Sequence, residues 1–385
     1  MGYIHDDPDW PNLTWDNVRL LPLLADVRHR QGRLLGRMEG LGFQLRAEAS
    51  LTTLTSDVVK SSAIEGSLLD VEQVRSSIAR RLGLGFGGNV KAGRDVEGVV
   101  EMMLDATQKY AEPLTAERLF GWHASLFPTG RSGMRRITVG AWRPAGIGAM
   151  QVVSGPMGRA RVHFEAPAAD RLPHEISVFL DWFEAAKGSD PVLKAAIAHF
   201  WFVTIHPFKD GSGRISRAIA DLALARADGT PERFYSMSTQ IEAEKKQYYL
   251  HLEQSQQGGV DITSWLEWFL GCLGRAVAGA EAGLASVLKK AKIWARINSQ
   301  SPVNERQQKV INRLLDGFEG KLSTSKYAQL DKCSADTALR DIKSLLDRGI
   351  LIQDAGGGRN TSYRLAEPVD QPRPPSQGLS SAGAG

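Results

Sequence analysis

The sequence predicts a mainly α-helical protein: a helical bundle with one short β-hairpin, then a separate C-terminal module of helices closed by a second hairpin. Three observations lead there. Val192 to Ile205 is apolar around nearly its whole circumference, broken mainly by Lys194, His199 and Thr204, and such a helix belongs in the middle of a domain. The predicted strand pair falls between Trp142 and Pro167, around a turn-rich centre. Beyond Val303, apolar stripes recur at helical spacing. With 385 residues and 42% hydrophobic content, the chain has room for two domains with full cores.

Residues 1–110 read as an N-terminal helical region, opening on Trp10-Pro11 and Trp15-Asp16, whose tryptophans are expected in core packing. Within it, Ser61 and Glu65 are four apart and share one helix face. Gly66 is a natural C-cap, so Glu65 lies near the negative end of a helix dipole. A carboxylate there is unfavourable unless a cation meets it. A core is expected over residues 111–275. In it, Met150 to Val153 and Val162 to Glu165 form the hairpin around Ser154-Gly155-Pro156-Met157-Gly158. The helix over 192–205 should stop at His206, because Pro207 removes a backbone donor and discourages helix in the residue before it. A second helix starts at Ser212 or Gly213. Its Ile215, Ala218, Ile219 and Leu222 face inward, while Arg214, Arg217 and Asp221 share another face. Tyr248-Tyr249 and the segment Asp261 to Phe269 close the core.

Residues 276–300 read as a linker helix. Over 301–366, Val310, Ile311, Leu314 and Leu315 mark a first helix and Thr324 to Leu330 a second. Ser334 looks like the N-cap of a third, with Ala338, Ile342, Leu345 and Leu346 as its packed stripe. Ile350 to Gln353 and Thr361 to Leu365 flank a glycine-rich turn. The pattern resembles a winged helix-turn-helix. Its third helix carries balanced charge, which offers little surplus for phosphate neutralisation. DNA binding through 301–366 and protein docking therefore stand as equal alternatives. The Pro-, Ser- and Gly-rich tail, 367–385, should be disordered.

The segment that carries chemistry is His206-Pro-Phe-Lys-Asp-Gly-Ser-Gly-Arg-Ile-Ser-Arg217. It places an imidazole, a carboxylate, a glycine turn and two guanidinium groups in one loop. The turn delivers its N–H groups to a helix N-terminus, where unpaired donors and the dipole favour an anion. Glycine is needed there for close backbone approach or positive φ. A lone histidine at a helix end, a lone Gly-x-Gly turn or two arginines on a helix would each be unremarkable; together they are the parts of a phosphate-handling site.

This segment resembles the signature of the Fic family, His-x-Phe-x-(Asp/Glu)-Gly-Asn-Gly-Arg-x-x-Arg, and seven of its eight defined positions match. The resemblance implies a Fic-type helical core whose hairpin is a flap that docks a target backbone by strand addition. It implies protein adenylyl transfer (AMPylation), moving AMP from ATP to a Ser, Thr or Tyr hydroxyl. His206 would be the general base, Phe208 a loop anchor and Asp210 the Mg²⁺ ligand. Gly211, Ser212 and Gly213 would cradle the phosphates, and Arg214 and Arg217 would grip them. Tyr248 and Tyr249 are candidates for the adenine wall. The one departure is Ser212, where the family has asparagine; its hydroxyl is shorter and supplies one donor. Ser61, Glu65 and Gly66 match the family's (Ser/Thr)-x-x-x-Glu-(Gly/Asn) inhibitory motif, which implies that Glu65 pairs with Arg217 and occupies the γ-phosphate position. The same resemblance implies self-association as a homodimer, though no sequence feature dictates it.

Two other functions remain open at this stage. One is a transcriptional regulator whose core senses nucleotide. The other is a core turned by Ser212 toward AMP removal or another phosphate donor. Two cysteines, Cys272 and Cys333, suggest no disulfide framework. The acidic first ten residues carry no apolar signal region, and no apolar run is long enough to span a bilayer. A cytoplasmic protein without membrane contact is expected. The net charge of +4 neither demands nor excludes nucleic acid.

Overall fold

A computed structural model describes residues 2–85, 90–146, 148–154, 161–185, 189–300, 302–315, 320–354 and 361–366. The chain is mostly helical, with three two-stranded antiparallel sheets among these residues. In chain order the elements are α1 (Asn17–Glu39), α2 (Phe43–Ile64), α3 (Val71–Arg81), α4 (Arg94–Gln108), α5 (Ala116–Leu126), β1 (Arg131–Ser132), β2 (Arg135–Arg136), β3 (Gln151–Ser154) and β4 (Arg161–Glu165). There follow α6 (Leu172–Glu184), α7 (Pro191–Ile205), α8 (Ser212–Asp228), α9 (Met237–Ala243), α10 (Lys245–Gln256) and α11 (Thr263–Gln300). The last are α12 (Glu305–Leu315), α13 (Thr324–Asp331), α14 (Ala335–Asp347), β5 (Leu351–Gln353) and β6 (Tyr363–Leu365). Two compact units divide at Gly283/Leu284, inside α11. The 38-residue α11 thus begins at Thr263, earlier than a separate linker helix would.

The first unit is organised around α7. Asp190 caps its N-terminus, accepting from the Val192 N–H at 2.8 Å, and Pro191 supplies a pre-set φ at the first turn. Every residue from Ala195 to Ile205 is buried. It packs most extensively against α8, while α2 packs against α9 and α4 lies against α5 and α8. The α8 residues Ile215, Ala218, Ile219 and Leu222 enter the core. Arg214, Arg217 and Asp221 are buried too, so the second face of α8 meets protein rather than water. The hairpin β3–β4 pairs Gln151 with Glu165 and Ser154 with Arg161, with a register shift between Val152 and Val153. Its turn, 155–160, lies outside the described residues, as do the turn 355–360 and the tail 367–385.

The second unit stacks α12, α13 and α14 on a core that includes Val310, Ile311, Tyr327, Ala338, Ile342 and Leu345. The β5–β6 hairpin joins it through Leu351 and Tyr363. Ser334 accepts from the Thr337 N–H at the start of α14. Asp336, Arg340 and Lys343 are exposed on that helix. Both cysteines are free. No helix among the described residues is long and apolar enough to cross a membrane.

A charged cluster lies beneath α8. Arg233 is fully buried, 2.9 Å from Asp228 and 3.5 Å from Asp221, with its guanidinium 4.6 Å from the Tyr235 ring centroid. Tyr235 donates to Asp228 at 2.6 Å. Asp57 of α2 is buried beside them and accepts from the Ser236 hydroxyl and the Ser238 N–H. Burial, together with the nearby Asp221 charge, pushes the Asp57 carboxyl well above its usual range. One buried cation thus faces several buried carboxyls. Replacing Arg233 by methionine leaves those acids without their partner. Urea unfolding of Arg233→Met should show a loss of about 3–5 kcal/mol; a loss below about 1 kcal/mol would show that the cluster does not depend on this cation.

Candidate active site

Pro207 keeps His206 out of the right-handed helical region. His206 instead takes a left-handed conformation, φ 48° and ψ 58°, and ends α7 as its C-cap. Phe208 is fully buried and stacks on His123 with ring centroids 4.2 Å apart. Gly211 turns the chain into α8 at φ +84°. A side chain on it would meet Phe127 at 2.9 Å, so both conformation and space require glycine. The loop therefore leaves the negative end of α7 and enters the positive end of α8 within a few residues.

Glu65 lies over that positive end. A Cβ added to Gly213 would lie 2.3 Å from the Glu65 Oε1 atom, so the glycine leaves room for the carboxylate in this position. Arg217 is buried and donates from Nη2 to Glu65 Oε1 at 2.8 Å and to the Ser61 carbonyl at 2.9 Å. Its Nε–H reaches the Ser61 hydroxyl, also at 2.9 Å. Burial opposes the guanidinium charge, but Glu65, with Tyr248 and Tyr249 beside it, outweighs that and holds the pKa above its usual value. Gly66 continues from the Glu65 C-cap of α2 at φ +83°.

The other loop groups are placed as follows. Arg214 packs its guanidinium 5.0 Å from the Phe127 ring centroid, with Nη2 3.7 Å from Asp210. The half-exposed Asp210 carboxylate accepts from the Gly211 N–H at 2.5 Å and from the Ser132 hydroxyl. Ser212 is buried, and its hydroxyl turns back to the Phe208 N–H and carbonyl, each at 3.4 Å. It braces the loop rather than reaching outward.

A cavity of about 680 Å³ brings Glu65, His206, Gly213, Tyr248 and Tyr249 together with Val152, Val153 and Ser154 of β3. Its volume lies within the range of small-molecule sites. Tyr248 is buried and shares a 2.9 Å hydrogen bond with His199; Tyr249 is partly exposed and donates to the Ile64 carbonyl at 3.4 Å. Burial pushes the Tyr249 hydroxyl up to about 12.

Several groups at the site escaped the sequence reading. His123 accepts from the Gly140 N–H through Nδ1, leaving Nε2–H for the Asp210 carbonyl at 3.2 Å. Ser132, at the end of β1, and Arg143, in an irregular stretch, hold the loop. Glu253 of α10 receives Arg161 at 2.6 Å and pairs with His163 at 2.8 Å, clasping β4. None lies in a recognisable motif, and each reaches the site only through folding. Helical spacing on α5 could at most have marked His123 as inward-facing.

Three histidines are held neutral. Burial, aided by Arg217, pushes His199 down to about 3. His206 falls to about 4 through burial and Arg143, although the Val203 carbonyl, Glu65 and Asp210 pull upward. His123 falls to about 4, chiefly by burial.

A buried helix pair joined by a glycine turn, with Gly213 of the α8 N-terminus and the His206 imidazole lining one cavity and two buried arginines in the first turns of α8, makes a site suited to an anion on a helical core. Residues 113–224 match the Fic/DOC family, and residues 3–84 match a domain of unknown function, DUF4172. The chain carries a Fic/DOC family domain. A protein adenylyltransferase fic-1 of Caenorhabditis briggsae is 26% identical over 204 residues, which is 52% of this chain and 36% of that protein. A protein adenylyltransferase Fic of Nematostella vectensis is 32% identical over 124 residues, 31% of this chain and 26% of that one. The matches thus span well under half of these curated relatives. The crystal structure of a Fic family protein from Desulfovibrio desulfuricans G20 aligns over 89% of this chain and 96% of its own, with TM-score 0.47 and 23% identity.

The neutral histidines have a consequence for stability. A histidine whose folded pKa lies below its unfolded value leaves the unfolded state binding more protons, so stability falls as pH drops from about 6.5 toward the folded value. His199→Phe removes one such proton. Between pH 6.5 and 4, its unfolding free energy should depend on pH less steeply than that of wild type, by up to about 1.4 kcal/mol per pH unit. Equal slopes in parallel denaturant titrations would rule out a buried neutral His199.

Proposed function

We propose that this protein is an auto-inhibited protein adenylyltransferase. The observation that carries the proposal is the Glu65–Arg217 ion pair at 2.8 Å, set over the N-terminus of α8 beside His206. A carboxylate held by the same donors that suit phosphate occupies a phosphate position. ATP would bind in the cavity with its phosphates toward the Gly211–Gly213 turn, Arg214 and Arg217. Tyr248 and Tyr249 would flank the base, and the β3–β4 hairpin would present the target backbone.

In the reaction, the target hydroxyl oxygen forms a bond to the α-phosphorus while the bond from that phosphorus to the bridging oxygen breaks. Pyrophosphate leaves, and the hydroxyl proton passes to the neutral imidazole of His206. Phosphates placed beside that ring raise its pKa again, since a neighbouring anion favours imidazolium. The α8 N-terminus and Arg214 stabilise charge on the phosphates. Asp210 fits Mg²⁺: its carboxylate is half-exposed, and no cluster of three or more metal-ligating side chains stands beside it among the described residues. One carboxylate with substrate phosphates is the set Mg²⁺ prefers, and the ion would supply charge neutralisation between phosphates.

The inhibition follows from competition. With Glu65 on Arg217, a γ-phosphate cannot take that guanidinium, and the triphosphate is held in a different pose. Ser61 supports this arrangement by binding the same guanidinium twice. The natural target and the signal that releases Glu65 would act through that pair.

The test uses α-labelled ATP, Mg²⁺ and whole-cell lysate. Glu65→Gly should raise protein-bound label ~10-fold or more, the scale of a coupling free energy between competing ligands. Glu65→Gly/His206→Ala should return it to background. Label unchanged by Glu65→Gly would remove the inhibitory role, and label surviving in the double variant would remove His206 as the base.

A further inference from the structure

We infer that Arg143 is a positioning residue for His206, setting the backbone from which the imidazole faces the cavity. Three hydrogen bonds carry the inference. The Arg143 backbone N–H donates to the Pro207 carbonyl at 2.9 Å, and its Nε–H donates to the His206 carbonyl at 2.9 Å. Its Nη2 reaches the Pro167 carbonyl. The residue is only 6% exposed, and among the described residues no carboxylate forms an ion pair with it. A guanidinium buried without a counter-ion is costly unless the surroundings replace its water. Here the replacement is the C-terminus of α7. Its unpaired carbonyls carry the negative end of the helix dipole, and His206 is its C-cap.

This placement does two things. It holds a non-glycine residue at φ 48°, a conformation that few side chains adopt without support. It also ties His206 to Pro167, two residues beyond the end of β4. The imidazole and the hairpin strand that flanks its cavity are thereby referred to one rigid, planar group. Arg143 does not line the cavity, so it acts through His206 rather than on a bound nucleotide.

The inference rests on the adenylyl-transfer reading for its kinetic arm and on geometry alone for its spectroscopic arm. Arg143→Met and Arg143→Lys would be made in wild type and in Glu65→Gly. Carbon–proton spectra of the histidine rings, with the His206 signal assigned by its loss in His206→Asn, report the ring directly. Arg143→Met should move or broaden the His206 signal and leave that of the exposed His174 in place. Arg143→Lys should return it part-way, because one donor remains. In the Glu65→Gly background, kcat should fall on the order of 100-fold in Arg143→Met, as a small misplacement of a catalytic group does. Nucleotide affinity should stay within about threefold, and Arg143→Lys should recover part of kcat.

An unmoved His206 signal in a folded variant overturns the inference. So does a kcat loss matched by an equal loss of nucleotide affinity. Should Arg143→Met fail to fold, Arg143→Lys decides by the same two readouts, with smaller displacement as the supporting result. If the Glu65→Gly parent transfers no label, the adenylyl-transfer reading falls, and the ring spectra alone decide whether Arg143 positions His206.

Discussion

The arrangement of this domain depends on how one buried cation is satisfied. Arg217 lies in α8 with almost no exposure, and a guanidinium in that position must find acceptors. It finds them on α2, in the Ser61 hydroxyl, the Ser61 carbonyl and the Glu65 carboxylate. That requirement fixes where the end of α2 can sit. It also brings a carboxylate, from the unfavourable end of one helix, onto the favourable end of another. Two local electrostatic problems are solved by one contact.

The same contact places a large share of the local negative charge over the α8 N-terminus. A Cβ at Gly213 would come within 2.3 Å of Glu65 Oε1, so glycine there lets the carboxylate keep this position without shifting. The N-terminus is therefore shaped for close approach by an anion, whether carboxylate or phosphate. Arg214 adds positive charge at the same end while packing on Phe127. Further down, Asp57 links α2 to the start of α9 through Ser236 and Ser238, so both ends of this part of α2 are tied by polar groups.

The loop between α7 and α8 is braced by groups outside its own sequence. His123 stacks on Phe208 and holds the Asp210 carbonyl, Ser212 folds back on Phe208, and Arg143 holds the carbonyls of His206 and Pro207. These bonds satisfy backbone atoms that a tight loop would otherwise leave bare. Serine at position 212 takes part in this bracing. Its short hydroxyl reaches back to the Phe208 N–H and carbonyl within the loop.

What the sequence determined by itself is the local framework. Apolar residues all round 192–205 required a central helix, Pro207 and Gly211 required the chain to break and turn, and the spacing of Ser61 and Glu65 put them on one face. Those are effects of periodicity and backbone sterics, which act over a few residues and can be read in order. The two faces of α8 could be separated in the same way, but not the burial of the charged one. That depended on α2 and on the residues around Arg233, distant in the chain and brought near only by packing. The roles of His123, Ser132 and Arg143 in bracing the loop, and the clasp of Glu253 on β4, were likewise decided by tertiary structure. They are single polar residues in unremarkable surroundings, and a hydrogen bond between distant segments leaves no period in either one.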